Sequence, residues 1–129
     1  MARSLNRKVG EMTPDKLIAG ITPVVHVSAG ELRGIAAEEV YKRGTVLAKS
    51  NVDAKLVVLG TDPAVDELLV PDCVLCDDTV VGTDDVVAAV YTAGNFNTEA
   101  LIVKEGYTLT EADKDKLRER GLYLTVVLD

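Results

Sequence analysis

The segment Tyr41-Lys42-Arg43-Gly44-Thr45-Val46-Leu47-Ala48 passes from charge, through a glycine, into an apolar β-branched run. Glycine tolerates the left-handed backbone of a tight turn, and Thr-Val-Leu suits a half-buried strand, so a turn opening a core strand is expected at Gly44. Comparable runs recur along the chain. Residues 24–27 read as a first strand ended by Ser28-Ala29-Gly30, and residues 32–35 as a weaker one. Further strands are expected at 45–48, 55–59, 73–76, 86–91 and 101–104, bounded by Gly60, Pro71, Gly82, Gly94 and Gly106. Residues 36–40 read as loop or a single helical turn. Short strands at this spacing imply a compact β fold, and neither a fixed-period repeat nor a Ser/Gly-rich linker divides the chain. The expected organisation is a flexible arm, residues 1–16, ahead of one domain, residues 17–129.

One helix is well signalled. Thr110 has the character of an N-cap with Asp113 three residues on, an acidic variant of the capping box, and Gly121 is the expected stop about ten residues later. Its apolar positions are few: Ala112 and Leu117, with Leu109 just before. A helix so short and so polar can lie only along the edge of a core. After it, Leu122, Leu124, Val126 and Leu128 share one strand face, which places the apolar end against the domain or a neighbouring subunit.

At 129 residues the chain can bury roughly two-thirds of its unfolded surface without a disulfide. Aromatic residues make up 4% and tryptophan is absent, so the core must be built from Val, Leu, Ile and Ala. Exposed aromatic platforms for stacking bases or sugars are not expected. The first ten residues carry Arg3, Arg7 and Lys8 and no acid, so a total of −7 leaves −10 on the rest. An acidic body repels phosphate backbones, so nucleic acid is not an expected partner. No apolar leader follows Met1-Ala2-Arg3, and no run approaches the roughly 20 apolar residues of a membrane span, so neither export nor a membrane is expected.

Catalytic chemistry finds little footing. His26 is the one histidine and lies in an apolar strand pattern, where a packed or surface histidine is the expected reading. Residues 29–34 lack both the GxGxxG spacing and the GK[ST] ending of phosphate loops. Cys73-Val74-Leu75-Cys76 has CxxC spacing, but a structural zinc site needs two more ligands and a redox dithiol needs a helix N-terminus. Read as a strand, the motif separates its thiols by roughly 10 Å onto opposite faces, so buried free thiols are expected. The acid pairs Glu38-Glu39, Asp77-Asp78 and Asp84-Asp85 read as solvated turns, since neighbouring acids on an extended chain point apart. A weak cation site would form only if Asp77, Asp78, Asp84 and Asp85 met across Gly82. No catalytic residue, cofactor or metal is therefore expected.

Four segments in order carry a resemblance to a known family: Leu17-Ile18-Ala19-Gly20; Tyr41 to Ala48; Val70-Pro71-Asp72-Cys73-Val74-Leu75 leading into Asp77-Asp78; and Ala89-Val90-Tyr91-Thr92-Ala93-Gly94-Asn95-Phe96 followed by a helix and Gly121-Leu122-Tyr123-Leu124. Together they resemble the small head decoration proteins of tailed phages, the family of the phage lambda decoration protein. Residues 61–69 and the two cysteines stand outside the resemblance. It implies a β-clip-like domain, mainly β with one or two short helices, assembled as a homotrimer. It also implies a partner, the major capsid protein of a tailed phage, and a place on the outer surface of the virion head after synthesis in the host cytoplasm. The role implied is structural: stabilising the expanded shell against DNA pressure. Arg3, Arg7 and Lys8 of the arm, with Leu17 and Ile18 where it joins the body, are the expected capsid contacts. Two other classes stay open: a small trimeric β-rich enzyme or ligand-binding protein with a site between subunits, and a CxxC redox or metal protein.

Overall fold

The computed structural model describes residues 17–20 and 24–125. Among them the order is β1 (Ile18–Gly20), β2 (His26–Leu32), β3 (Glu39–Tyr41), β4 (Val46–Ser50), β5 (Leu56–Val58), β6 (Leu69–Leu75), β7 (Thr79–Val81), β8 (Val86–Asn97), a 3-10 turn (Thr98–Ala100), α1 (Glu111–Glu119) and β9 (Leu122–Thr125). The fold is mainly β with one α-helix, as expected.

Strand β8, 12 residues long, organises the sheet. Its first half pairs antiparallel with β2 and, on the other edge, with β6 at Val74 and Leu75. Strand β2 continues to β5, β5 to β4 and β4 to β6, so the path β8-β2-β5-β4-β6 returns to β8 and closes a small barrel. The second half of β8 leaves the barrel and takes β1 antiparallel and β9 parallel. Strands β3 and β7 form a separate two-stranded ribbon.

The run that opened the sequence reading becomes β4. A turn over residues 42–45 is closed by Thr45 N–H donating to the Lys42 carbonyl at 3.1 Å, with Gly44 at φ +98°. A Cβ on Gly44 would also come within 3.0 Å of the Ala100 carbonyl oxygen, so glycine is needed there twice over. Val46 and Ala48 then face one core with Phe96, Leu117 and Leu122, whereas Leu47 between them faces a second with Leu32, Leu56 and Leu75. Both faces of β4 are covered, which is why its pattern is continuously apolar rather than alternating. Strand β6 repeats the arrangement, Val74 to the first core and Cys73 and Leu75 to the second.

Residues expected to end strands instead lie inside them. Gly30 sits in β2 because a Cβ there would be 2.7 Å from Leu56 Cδ1; the glycine lets two strands approach. Gly94 lies inside β8, with Gly94 N–H donating to the Gly121 carbonyl at 3.1 Å. Pro71 lies inside β6, beside a register shift between Leu47 and Ala48 of β4. Its missing N–H costs no ladder bond to β8, which reaches only Val74 and Leu75. Residues 36–40 hold no helical turn; their end enters β3. Residues 101–104 contribute one isolated bridge, Thr45 to Ile102, not a strand.

The helix forms where expected. Thr110 Oγ1 accepts from Asp113 N–H and Asp113 Oδ2 accepts from Thr110 N–H, each at 3.1 Å, and Gly121 follows at φ +99°. Leu117 is its buried residue and packs into the first core, with Leu109 beside it; Ala112, expected to be apolar contact, faces solvent. Leu122 is buried and Leu124 half-buried as the face pattern required; Val126 and Leu128 lie outside the described residues.

Candidate interaction surface

The groups that could perform chemistry are spent on the fold or stand apart. Cys73 faces the second core, and burial, with Asp72 beside it, pushes its thiol far above the ordinary range. Cys76 follows the end of β6, also buried, its thiol raised by burial and by Asp77. Both are free thiols held in the neutral form, the opposite of what a redox dithiol or metal ligand requires. His26 is exposed at the start of β2, paired across to Ala93. Among the described residues no three His, Cys, Asp or Glu side chains gather as a metal site.

Acids and bases meet at one corner of the barrel. Arg33, just past β2, reaches Asp53 in the β4–β5 turn at 3.0 Å and Glu67 at 2.5 Å. Glu67 also accepts from Ser50 Oγ at 2.5 Å and from Ala64 N–H at 2.9 Å. These donors, Arg33 first, hold its carboxyl at about 2, below the ordinary 4.5. Lys55 pairs with Asp85, which also accepts from Gly34 N–H at 2.8 Å. Asp78 instead caps Arg43 N–H at 2.7 Å. Asp78 and Asp85 thus answer separate partners rather than converging across Gly82.

A second charged arrangement, at Arg43, is internal. Its guanidinium donates to the Cys76 carbonyl at 2.9 Å and to the Tyr91 hydroxyl, and lies 5.4 Å from the centre of the Tyr91 ring. This fastens the turn before β4 to β8. An open groove of about 500 Å³ runs beside β3, lined by Val40, Tyr41, Val57, Val58 and Ile102 with Arg33, Lys42 and Lys104. Neither His26 nor either cysteine lines it.

The surface exposes apolar side chains both in loops, Val65 and Leu68 among them, and on strands. Val27 and Val87 are exposed on the outer face of β2 and β8. On the ribbon, Val40 lies opposite Val80, and both are exposed. On its inner face Tyr41 and Val81 are buried in the second core. Sequence reading gives no sign of this ribbon because each strand is only three residues long: residues 36–40 read as loop or a helical turn, and residues 79–81 are assigned no element. The available signal was the alternation Val40-Tyr41 against Val80-Val81, one apolar residue out and one in.

Of the expected capsid contacts, Arg3, Arg7 and Lys8 lie outside the described residues. Leu17 is 1% exposed in the first core of this chain, and Asn97 N–H donates to its carbonyl at 2.7 Å. Ile18, opposite Phe96 in β1, is half-buried. No described helix is long and apolar enough to cross a membrane.

A family model described as bacteriophage lambda head decoration protein D matches residues 24–122. No curated protein matches the chain.

Proposed function

We propose that this chain, which belongs to the bacteriophage lambda head decoration protein D family, binds the outer surface of an expanded tailed-phage head as a homotrimer and stabilises the shell against the pressure of packaged DNA. The family is one of structural capsid proteins, and the match over residues 24–122 is the observation that carries the reading. The chemistry of the chain supports it: both thiols are buried and neutral, the chain has one histidine, and several large apolar side chains are exposed on strands and loops. Such side chains serve contact, not turnover.

The mechanism is linkage. A protein that binds the expanded lattice and not its precursor lowers the free energy of the expanded state by mass action, without catalysing anything. Placed at three-fold and quasi-three-fold positions, one trimer ties several coat subunits together. The basic arm, residues 1–16, with Ile18 at its root, lies extended beside a coat strand with Arg3, Arg7 and Lys8 against acidic coat residues. Three modest contacts held on one trimer gain about 10² to 10⁴ in avidity.

The test is co-sedimentation of purified protein with undecorated heads of the same phage, expanded and unexpanded. Binding to expanded heads alone is expected. Deletion of residues 2–16 is expected to leave the trimer intact and to weaken that binding sharply. Equal binding to both head forms, or to neither, contradicts the reading.

A further inference from the structure

We infer that Arg33 is a clasp: it holds loops 51–55 and 61–68 against backbone strain and makes the two open and close as one unit, apart from the barrel. The inference stands independently of the decoration reading and concerns a conformational device of the body.

Among the described residues, two that are not glycine carry a left-handed backbone, Ala54 at φ +62° and Asp66 at φ +63°. That conformation brings Cβ against the following carbonyl oxygen, at a greater cost for Ala than for Asp, whose short polar side chain bonds locally. Such residues persist only where their surroundings over-determine them. Here the surroundings are two carboxylates, each next in sequence to a strained residue: Asp53 before Ala54 and Glu67 after Asp66. Asp53 Oδ1 accepts from Lys55 N–H at 3.0 Å, closing the chain around Ala54. Glu67 Oε1 accepts from Ala64 N–H at 2.9 Å, and Glu67 N–H donates to the Ala64 carbonyl at 3.0 Å, closing the chain around Asp66.

One cation holds both carboxylates. Arg33 Nε and Nη2 donate to the two oxygens of Asp53 at 3.1 and 3.0 Å, and Nη2 also reaches Glu67 Oε2 at 2.5 Å. The planar fork of a guanidinium fixes direction as well as distance, which a lysine could not do for two partners at once. Arg33 is itself anchored to the barrel, its N–H donating to the Leu56 carbonyl of β5 at 2.9 Å. The Glu67 side chain is 4% exposed, so this pair is little screened.

The loops are bonded to each other as well. Ser50 Oγ donates to Glu67, Asn51 N–H donates to the Leu68 carbonyl at 3.1 Å, and Leu68 N–H donates to Asn51 Oδ1 at 2.8 Å. Neither loop can lift without breaking these bonds, so opening one strips the other of support. No residue of 51–55 or 61–68 belongs to either core, so the pair can open while the barrel stays folded. Val52, Val65 and Leu68, all exposed, ride on these loops, and the clasp fixes where they stand.

The experiment is native-state amide exchange followed by NMR on the full chain, wild type beside Arg33→Met, Ala54→Gly and Asp66→Gly. In the wild type, the Ala54, Lys55, Glu67 and Leu68 amides should share one opening constant. They should exchange faster than the Leu59 and Leu75 amides, which bond across the barrel. Arg33→Met should speed exchange about tenfold or more in both loops alike. Ala54→Gly relieves strain in one loop and should slow exchange in both by about threefold or more, with a smaller slowing from Asp66→Gly. An effect of Ala54→Gly confined to its own loop overturns the inference. So does faster exchange in one loop alone on Arg33→Met, or wild-type loop amides as slow as those of Leu59 and Leu75. Should Arg33→Met fail to fold, the two glycine variants decide the matter by the same readout.

Discussion

Acidic residues crowd two regions of this molecule and do different work in each. At the barrel corner Arg33 lies between Asp53 and Glu67 while Lys55 holds Asp85, so every carboxylate there has a cation and the network joins the end of β2 to two loops. Around the β3–β7 ribbon Glu38, Glu39, Asp77 and Asp78 make no ion pair with a described residue, and Val40 and Val80 lie exposed between them. The first region is closed upon itself and belongs to the fold. The second is left without an internal counter-charge among the described residues. Net charge alone would not separate them; what separates them is whether the counter-charge is supplied from within.

The sharpest way to break this contrast is on the ribbon itself, inner face against outer. Val81→Ala deletes buried methyls and should cost about 2 kcal/mol in urea unfolding. Val80→Ala, one residue away and exposed, should stay within about 0.5 kcal/mol. Similar losses at both positions would mean the outer valine is part of the core. Next in size is the barrel corner, where Arg33→Met strips two carboxylates of their cation; a fall in melting temperature on the order of 5 °C is expected by calorimetry. No change there would make the corner as dispensable as the ribbon.

The acid limb of stability sharpens the same point. The Glu67 carboxyl is held at about 2 in the fold against an ordinary 4.5, chiefly by Arg33. A depressed carboxyl contributes stability that is present in full above the ordinary value and lost as pH falls from there toward the folded one. Wild-type melting temperature should therefore decline between about pH 4.5 and pH 2, and Glu67→Gln should flatten part of that slope. An identical slope in the variant would remove Glu67 from the account. The smallest effect belongs to the open region: Glu38→Gln, Glu39→Gln and Asp77→Asn should each move stability by less than about 0.5 kcal/mol.

These differences also mark what could be read from the chain. The helix was legible because its signals are local: the Thr110 and Asp113 side chains answer backbone within three residues, and Gly121 ends it with its own φ. Strand β4 was legible because two-sided burial leaves a continuous apolar run. Gly30, Pro71 and Gly94 misled because their reasons are tertiary: the approach of Leu56, a register shift opposite β4, and the pairing of β8 with β1 and β9. Leu17, read as the point where the chain joins the body, is buried in the first core, and its backbone carbonyl is bonded by Asn97 N–H, distant in sequence. The ribbon escaped notice for the same reason, since two three-residue strands have meaning only when paired. The family, by contrast, could be recognised, because order and spacing of several weak segments survive where no single motif does.

The central claim is tested most directly by imaging expanded, undecorated heads of the same phage after incubation with the purified protein. The account predicts added density on the outer surface at the three-fold and quasi-three-fold positions, with three copies in each, and heads that resist internal pressure better once decorated. Heads that stay bare, or density at other positions without three-fold grouping, would contradict it.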